Sequence, residues 1–202
     1  GSFVTNHAGG ALDAQGRVSH GEAGRTGRRM IGFLLPDFSD TYGAQLVRGI
    51  EAHLRQQNLR MLVCRTEGNR EREEAAIDDC LRLGVAGLLV FPVYGEFYNE
   101  RLLRLVLNRF PITLVDRYLR GIPVASVRTD NRKAAEDLTY HLLALGHRHI
   151  AFVTPPPSGT SSIEDRIQGV VAAMAEQGVP FVVEEQVLHV YCTIPGAITP
   201  ST

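Results

Sequence analysis

The 202-residue chain has no surplus of either charge: 21 lysines and arginines stand against 22 aspartates and glutamates, a formal net charge of -1. A segment that grips nucleic acid by itself shows a clear basic excess, so contact with DNA is expected only through a domain absent from this chain. Cysteine is scarce. Cys64, Cys80 and Cys192 are odd in number, scattered and without metal-ligand spacing. They suit a reducing cytoplasm, with Cys64 and Cys80 as small core residues. No apolar run approaches the roughly 20 residues that cross a bilayer, and the first residues lack the apolar core of a secretory signal. No membrane partner is expected. Three enzyme fingerprints are missing as well: no Gly-x-Gly-x-x-Gly after the first apolar run, no Gly-rich loop ending in Lys-Ser or Lys-Thr, and no Gly-x-Ser-x-Gly elbow. These absences point away from an enzyme, with no catalytic residue and no cofactor expected. His147-Arg148-His149 directs its two imidazoles to opposite sides of an extended chain, so no metal is expected there.

What the chain does have is a strict alternation. Met30-Ile31-Gly32-Phe33-Leu34-Leu35, ending at Pro36, predicts a strand buried on both faces. Leu46, Val47, Ile50 and Leu54 recur at helical spacing while Gln45, Arg48, Glu51 and Arg55 fall elsewhere, which predicts an amphipathic helix from Tyr42 to Gln57. The same reading gives strands at 61–64, 87–91, 112–115, 150–153 and 187–191. It gives helices at 71–83, 99–108, 132–145 and 162–177, with Gly84, Gly146 and Gly178 closing three of them. Glu71-Arg72-Glu73-Glu74 reads as the solvated start of a helix, its acids favoured by the helix dipole. Alternating elements with continuous apolar strands imply an α/β fold of parallel sheets flanked by helices. Residues 1–29, with Gly at seven positions and a basic cluster at Arg25, Arg28 and Arg29, read as a flexible linker. Leu119 to Thr129 breaks the rhythm after four strands. The boundary is placed there, giving an N-terminal lobe at 30–120 and a partial C-terminal lobe at 121–202.

Ligands of open α/β sheets lie beyond the carboxyl ends of the strands. The residues that follow those ends are Asp37, Ser39, Asp40, Thr41 and Tyr42; Thr66, Glu67 and Asn69; Tyr94 and Glu96; and Asp116, Arg117 and Tyr118. In the second lobe the loop from Thr154 to Ser161 leads to Ser162, Asp165 and Arg166. Carboxylates and arginines hydrogen-bond adjacent hydroxyls, and aromatic rings cover the C–H side of a sugar, so this set suits a polyhydroxylated ligand. Ser161-Ser162-Ile163-Glu164 matches a capping box with Ser161 as the cap.

Several of these motifs carry a resemblance. Ile31-Gly32-Phe33-Leu34-Leu35-Pro36-Asp37, Arg48-Gly49-Ile50-Glu51, Val85-Ala86-Gly87-Leu88-Leu89-Val90 and Ile112-Thr113-Leu114-Val115-Asp116-Arg117 occur in order. They are followed by Asp130-Asn131, the block His141 to Phe152, and Asp165-Arg166-Ile167-Gln168-Gly169. Together they resemble the sensor domain of the lactose/galactose repressor (LacI/GalR) family over about Met30 to Pro180. The resemblance implies a two-lobed, periplasmic-binding-protein-like fold (type I) that closes on a small-molecule effector and couples it to the DNA affinity of a cytoplasmic homodimer. Carried over by position, it implies ligand contacts from Tyr42, Asp116, Arg117, Ser162 and Arg166, to which the reading of strand ends adds Tyr94.

Two departures set further expectations. Sensor domains of this family are longer, so the second lobe is expected to be incomplete. Gly1-Ser2-Phe3-Val4 resembles the end of the wing in the gluconate-repressor (GntR) winged helix, which implies a GntR/LacI hybrid of the arabinose-repressor type. Arabinose or another carbohydrate is then the expected effector. The alternative with the same fold is the sugar-binding protein of an ABC importer.

Overall fold

The structure is a computed structural model and describes residues 2–5, 29–38, 41–93, 99–155 and 160–190. These form, in chain order, β1 (Ser2–Thr5), β2 (Met30–Leu35), α1 (Thr41–Gln56), β3 (Arg60–Arg65), α2 (Arg70–Arg82), β4 (Gly87–Val90), α3 (Glu100–Leu107), β5 (Ile112–Val115), β6 (Ala125–Thr129), α4 (Asn131–Ala144), β7 (Phe152–Thr154), α5 (Ser161–Glu176), α6 (Val183–Gln186) and β8 (Val187–His189). Two compact units result, the first reaching to Arg128 and the second running from Thr129 onward.

The first unit is built on a six-stranded sheet in the order β1-β6-β5-β4-β2-β3. Its pairs β2–β3, β2–β4, β4–β5 and β5–β6 are all parallel. The apolar run of β2 is continuous because both of its faces are covered. Phe33 and Leu35 meet Leu46, Val47 and Ile50 of α1, while Leu34 joins Ile77, Cys80, Leu88, Leu102 and Leu114 on the other side. Burying three such side chains contributes about 1.5–3 kcal/mol each. Asn69 and Asn99 cap α2 and α3 by accepting from Arg72 N at 2.8 Å and Leu102 N at 3.2 Å. Past the end of α2, Gly84 takes the left-handed turn (φ 69) predicted for it.

Two features of this sheet differ from the expectation. Residues 125–129, within the segment that breaks the sequence rhythm, form β6, with Thr113 opposite Ala125 and Val115 opposite Val127. The segment Ala-Ser-Val-Arg-Thr has one large apolar residue, and Val127 is itself exposed, so no hydrophobic period announces it. Ser2–Thr5, inside the stretch read as linker, is a strand next to β6. The edge of a parallel sheet offers unpaired backbone groups that such a segment satisfies. Residues 6–28 of that stretch lie outside the described residues.

The second unit packs α4 against α5 beside the parallel pair β7–β8. Ala135, Leu143, Val170 and Met174 form its core with Ile150, Phe152, Val179 and Phe181. Gly169 is obligatory at the crossing. A Cβ there would stand 2.3 Å from the Arg132 carbonyl oxygen and 2.9 Å from Ala135 Cβ. In β7, Phe152 and Thr154 turn inward while Val153 turns outward, next to Leu188 in register; the pair is 61% and 48% exposed.

Candidate functional site

In the first unit three of the expected site residues come together at the carboxyl ends of the strands. Tyr42 enters in the first turn of α1, and its hydroxyl donates to Asp116 Oδ1 at 2.8 Å. Asp116 follows β5 directly and holds φ 66, a left-handed value uncommon for a non-glycine residue. Its N–H bonds the Val127 carbonyl at 2.9 Å, and the next N–H, of Arg117, reaches back to the Val115 carbonyl at 2.8 Å. An i+2 to i bond about a residue of positive φ is a γ-turn, a strained form. It costs of order 1–3 kcal/mol and is the kind of strain found at ligand sites.

Phe91 organises the group. The Tyr42 ring meets it edge-on, centroids 6.3 Å apart and planes at 87°. The Arg117 guanidinium lies 4.9 Å from the Phe91 centroid and donates to the Pro92 carbonyl at 2.9 Å. Beside it, Arg128 covers the ring of Tyr118 at 4.1 Å. Sequence reasoning missed Phe91 as a site residue because it ends an apolar strand and reads as core. The signal that finds it is its place, one residue past β4 and before Pro92. Tyr94 and Glu96 lie outside the described residues, as do Ser39 and Asp40.

Glu73 corrects the reading of its helix as solvated. It is 1% exposed and accepts from Val93 N at 2.7 Å and Asn99 Nδ2 at 2.8 Å. Burial pushes its carboxyl up from the ordinary 4.5, against the two hydrogen bonds and the Arg117 charge, which favour the ionised form. Glu73 thereby ties α2 to the segment that follows β4, next to the Pro92 carbonyl that Arg117 grips. Asp37 and Glu67 instead belong to an exposed ionic cluster: Arg65 pairs with Asp37 at 3.7 Å and with Glu67, which also meets Arg72. Exposed pairs of this kind contribute little to stability.

In the second unit Arg166, exposed on α5, donates through Nε to Asn131 Oδ1 at 2.8 Å. Asn131 is buried at the start of α4, and its amide donates to the Thr129 carbonyl at 3.2 Å. Asn131, which no sequence pattern marks for a role, thereby positions Arg166. Ser162 and Asp165 are buried in the first turns of α5. The capping box expected with Ser161 as the cap is not what starts this helix. Thr160 holds the N-cap position, its side chain making no cap bond, while its carbonyl accepts from Ile163 N and Glu164 N, both at 3.1 Å. Ser161 is already helical and buried.

A cavity of about 790 Å³ lies elsewhere in this unit, lined among others by Arg148, His149, Pro180, Glu185 and Gln186. It sits where the chain enters β7 and leaves α5, the amino end of that strand, and contains none of the residues above. The strand-end rule for parallel sheets favours the polar residues over this hollow. Among the described residues no group of three His, Cys, Asp or Glu side chains is placed to hold a metal ion. Nor is any described helix long and apolar enough to cross a membrane.

Residues 28–198 match the family described as periplasmic binding proteins and sugar binding domain of the LacI family. Over 175 residues the chain is 33% identical to the HTH-type transcriptional regulator PtxS of Pseudomonas plecoglossicida, a match covering 87% of this chain and 49% of that protein. It is 31% identical over 162 residues to the arabinose metabolism transcriptional repressor of Geobacillus stearothermophilus, covering 77% and 43%. Among solved structures, a LacI family transcriptional regulator from Enterococcus faecium with bound ribose matches with a TM-score of 0.63 at 25% identity, over 80% of this chain and 56% of that one. The chain spans about half the length of the curated relatives it matches.

Proposed function

Because the chain belongs to the family of periplasmic binding proteins and LacI-family sugar-binding domains, we propose that it senses a small sugar for a cytoplasmic DNA-binding transcriptional regulator. The observation that carries this reading is the cluster around Phe91. Tyr42, Asp116 and Arg117 offer an aromatic surface, a carboxylate and a guanidinium at the strand ends where α/β sheets bind ligands. A carboxylate accepts from two vicinal hydroxyls, a guanidinium donates to them, and a ring face covers the apolar side of a pyranose or furanose. In the second unit Arg166, aligned by Asn131, is a guanidinium of the same chemistry, with Ser162 one turn earlier on α5.

A pentose is the proposed effector class. A solved relative holds ribose, and a curated relative represses arabinose metabolism. The proposed sensor is not an enzyme, acts as a homodimer, and reaches DNA through a separate domain. The PtxS and arabinose-repressor relatives, at 33% and 31% identity, are transcriptional regulators, which favours this reading over a sugar-binding protein of an ABC importer. A thermal-shift titration of the chain with ribose, arabinose, xylose, glucose and galactose tests it. A ligand that binds only the folded state raises the midpoint with concentration by mass action. A flat response to every sugar defeats the proposal.

A further inference from the structure

Outside the site just described, one chemically reactive pair is unused. The sulfurs of Cys64, on β3, and Cys80, on α2, lie 3.9 Å apart. The two residues differ in access: Cys64 is half-buried on an edge strand, and Cys80 is 0% exposed beneath it. Their closeness is housed by a glycine. A Cβ on Gly32 of β2 would stand 2.8 Å from Cys80 Sγ and 2.7 Å from Leu88 Cδ2, so only a residue without a side chain leaves the thiol its place beside Cys64.

We infer that Cys64 and Cys80 form a thiol pair that hydroperoxides oxidise reversibly to a disulfide, with Cys64 the thiol oxidised first and Cys80 the one that resolves it. Disulfide geometry needs the sulfurs at about 2.05 Å, a closure of roughly 2 Å from their present contact. The hydrogen bond with Cys80 brings the Cys64 thiol down to about 7, outweighing the opposing effects of burial and of Asp79. The same bond, with burial, pushes the Cys80 thiol up. A thiolate is the reactive form, and access selects among thiolates.

In the first step the Cys64 thiolate attacks one peroxide oxygen and the O–O bond breaks. Cys64 becomes a sulfenic acid, its sulfur oxidised by two electrons, and hydroxide leaves as water after protonation. In the second step Cys80 sulfur attacks Cys64 sulfur, the S–O bond breaks and the S–S bond forms. The departing hydroxide takes up the Cys80 proton as water. Hydrogen peroxide and two thiols thus yield one disulfide and two waters.

The test uses the full chain with Cys192→Ser, exposed to one equivalent of hydrogen peroxide. Thiol titration is expected to fall from two to zero and the intact mass by two hydrogens. Proteolysis should give one linked peptide pair bearing Cys64 and Cys80, reversed by dithiothreitol. With Cys80→Ser added, a sulfenic-acid trap such as dimedone should label Cys64. With Cys64→Ser added instead, Cys80 should stay a thiol. Should either variant fail to fold, the peptide map of the parent decides alone. Two surviving thiols, disulfides between chains, or a Cys64 sulfinic acid beside a free Cys80 would each overturn the assignment.

Discussion

The Tyr42 hydroxyl and the Asp116 carboxylate, 74 positions apart in the chain, meet at 2.8 Å in the first unit. The bond joins the first turn of α1 to the residue that leaves β5, so each group fixes the direction of the other. Tyr42 is exposed, which keeps the bond modest in energy, about 0.5 kcal/mol. Its value lies in alignment. Tyr42→Phe keeps the ring against Phe91 and loses only the hydroxyl. It should therefore leave the denaturant midpoint nearly unchanged while weakening the sugar-induced thermal shift. An undiminished shift removes Tyr42 from the site.

Strain at Asp116 can be separated from its chemistry. The left-handed φ of 66 is free for glycine and costs other residues about 1 kcal/mol. Asp116→Gly and Asp116→Ala both delete the carboxylate, so both should abolish the response to sugar. In urea unfolding the glycine variant should be the more stable of the two by about 1 kcal/mol. Equal stability would mean that the γ-turn is relaxed.

Glu73 gives the stability curve a sign. Its folded carboxyl titrates above the ordinary 4.5 because burial penalises the charge. The folded state therefore binds its proton more tightly than the unfolded state does. The corresponding stabilisation is complete below 4.5 and is lost as pH rises through the folded value. In Glu73→Gln that slope should vanish. The amide also turns an N–H toward Val93 N or Asn99 Nδ2, which both donate, so the variant should lose about 1–3 kcal/mol at pH 7. Urea titrations of both proteins from pH 4 upward measure the two effects; parallel profiles would show that Glu73 is not the group titrating.

Arg166 and Asn131 should part company under substitution. Arg166→Ala removes an exposed side chain and should change folding stability by no more than about 1 kcal/mol while erasing the sugar response. Asn131→Ala strips a buried residue from the Thr129 carbonyl and from Arg166, and should cost about 1–3 kcal/mol as well as weakening the response. A full sugar shift in Arg166→Ala would place the second unit's ligand contacts elsewhere.

The helix crossing is the least forgiving point. Gly169→Ala drives a methyl to 2.3 Å from backbone at Arg132, where no side chain can rotate away. A loss of about 1–3 kcal/mol is expected from overpacking, measurable as a fall in the unfolding midpoint. A neutral outcome would mean that α4 and α5 separate readily.

Much of this architecture was legible in the sequence because burial on two faces leaves an unmistakable mark. Phe33, Leu34 and Leu35 are all fully buried and all apolar, and the helices packed on them repeat at 3.6 residues. β6 left no such mark, since Arg128 and Thr129 sit in a strand whose pairing is carried by backbone alone. Buried charge is equally silent. Nothing local separates Glu73 from Glu71 and Glu74; only its bonds with Val93 and Asn99 do. Of the site, the polar residues at strand ends were readable from position. Phe91 was not, because an aromatic that ends a strand and one that lines a ligand look alike until their neighbours are known.

The outward pair Val153 and Leu188 has a consequence for handling. Parallel strands in α/β proteins are normally sheathed on both sides, yet this flank of β7–β8 presents two aliphatic side chains to water. A charged residue at position 153 would break up this aliphatic pair without displacing a buried side chain.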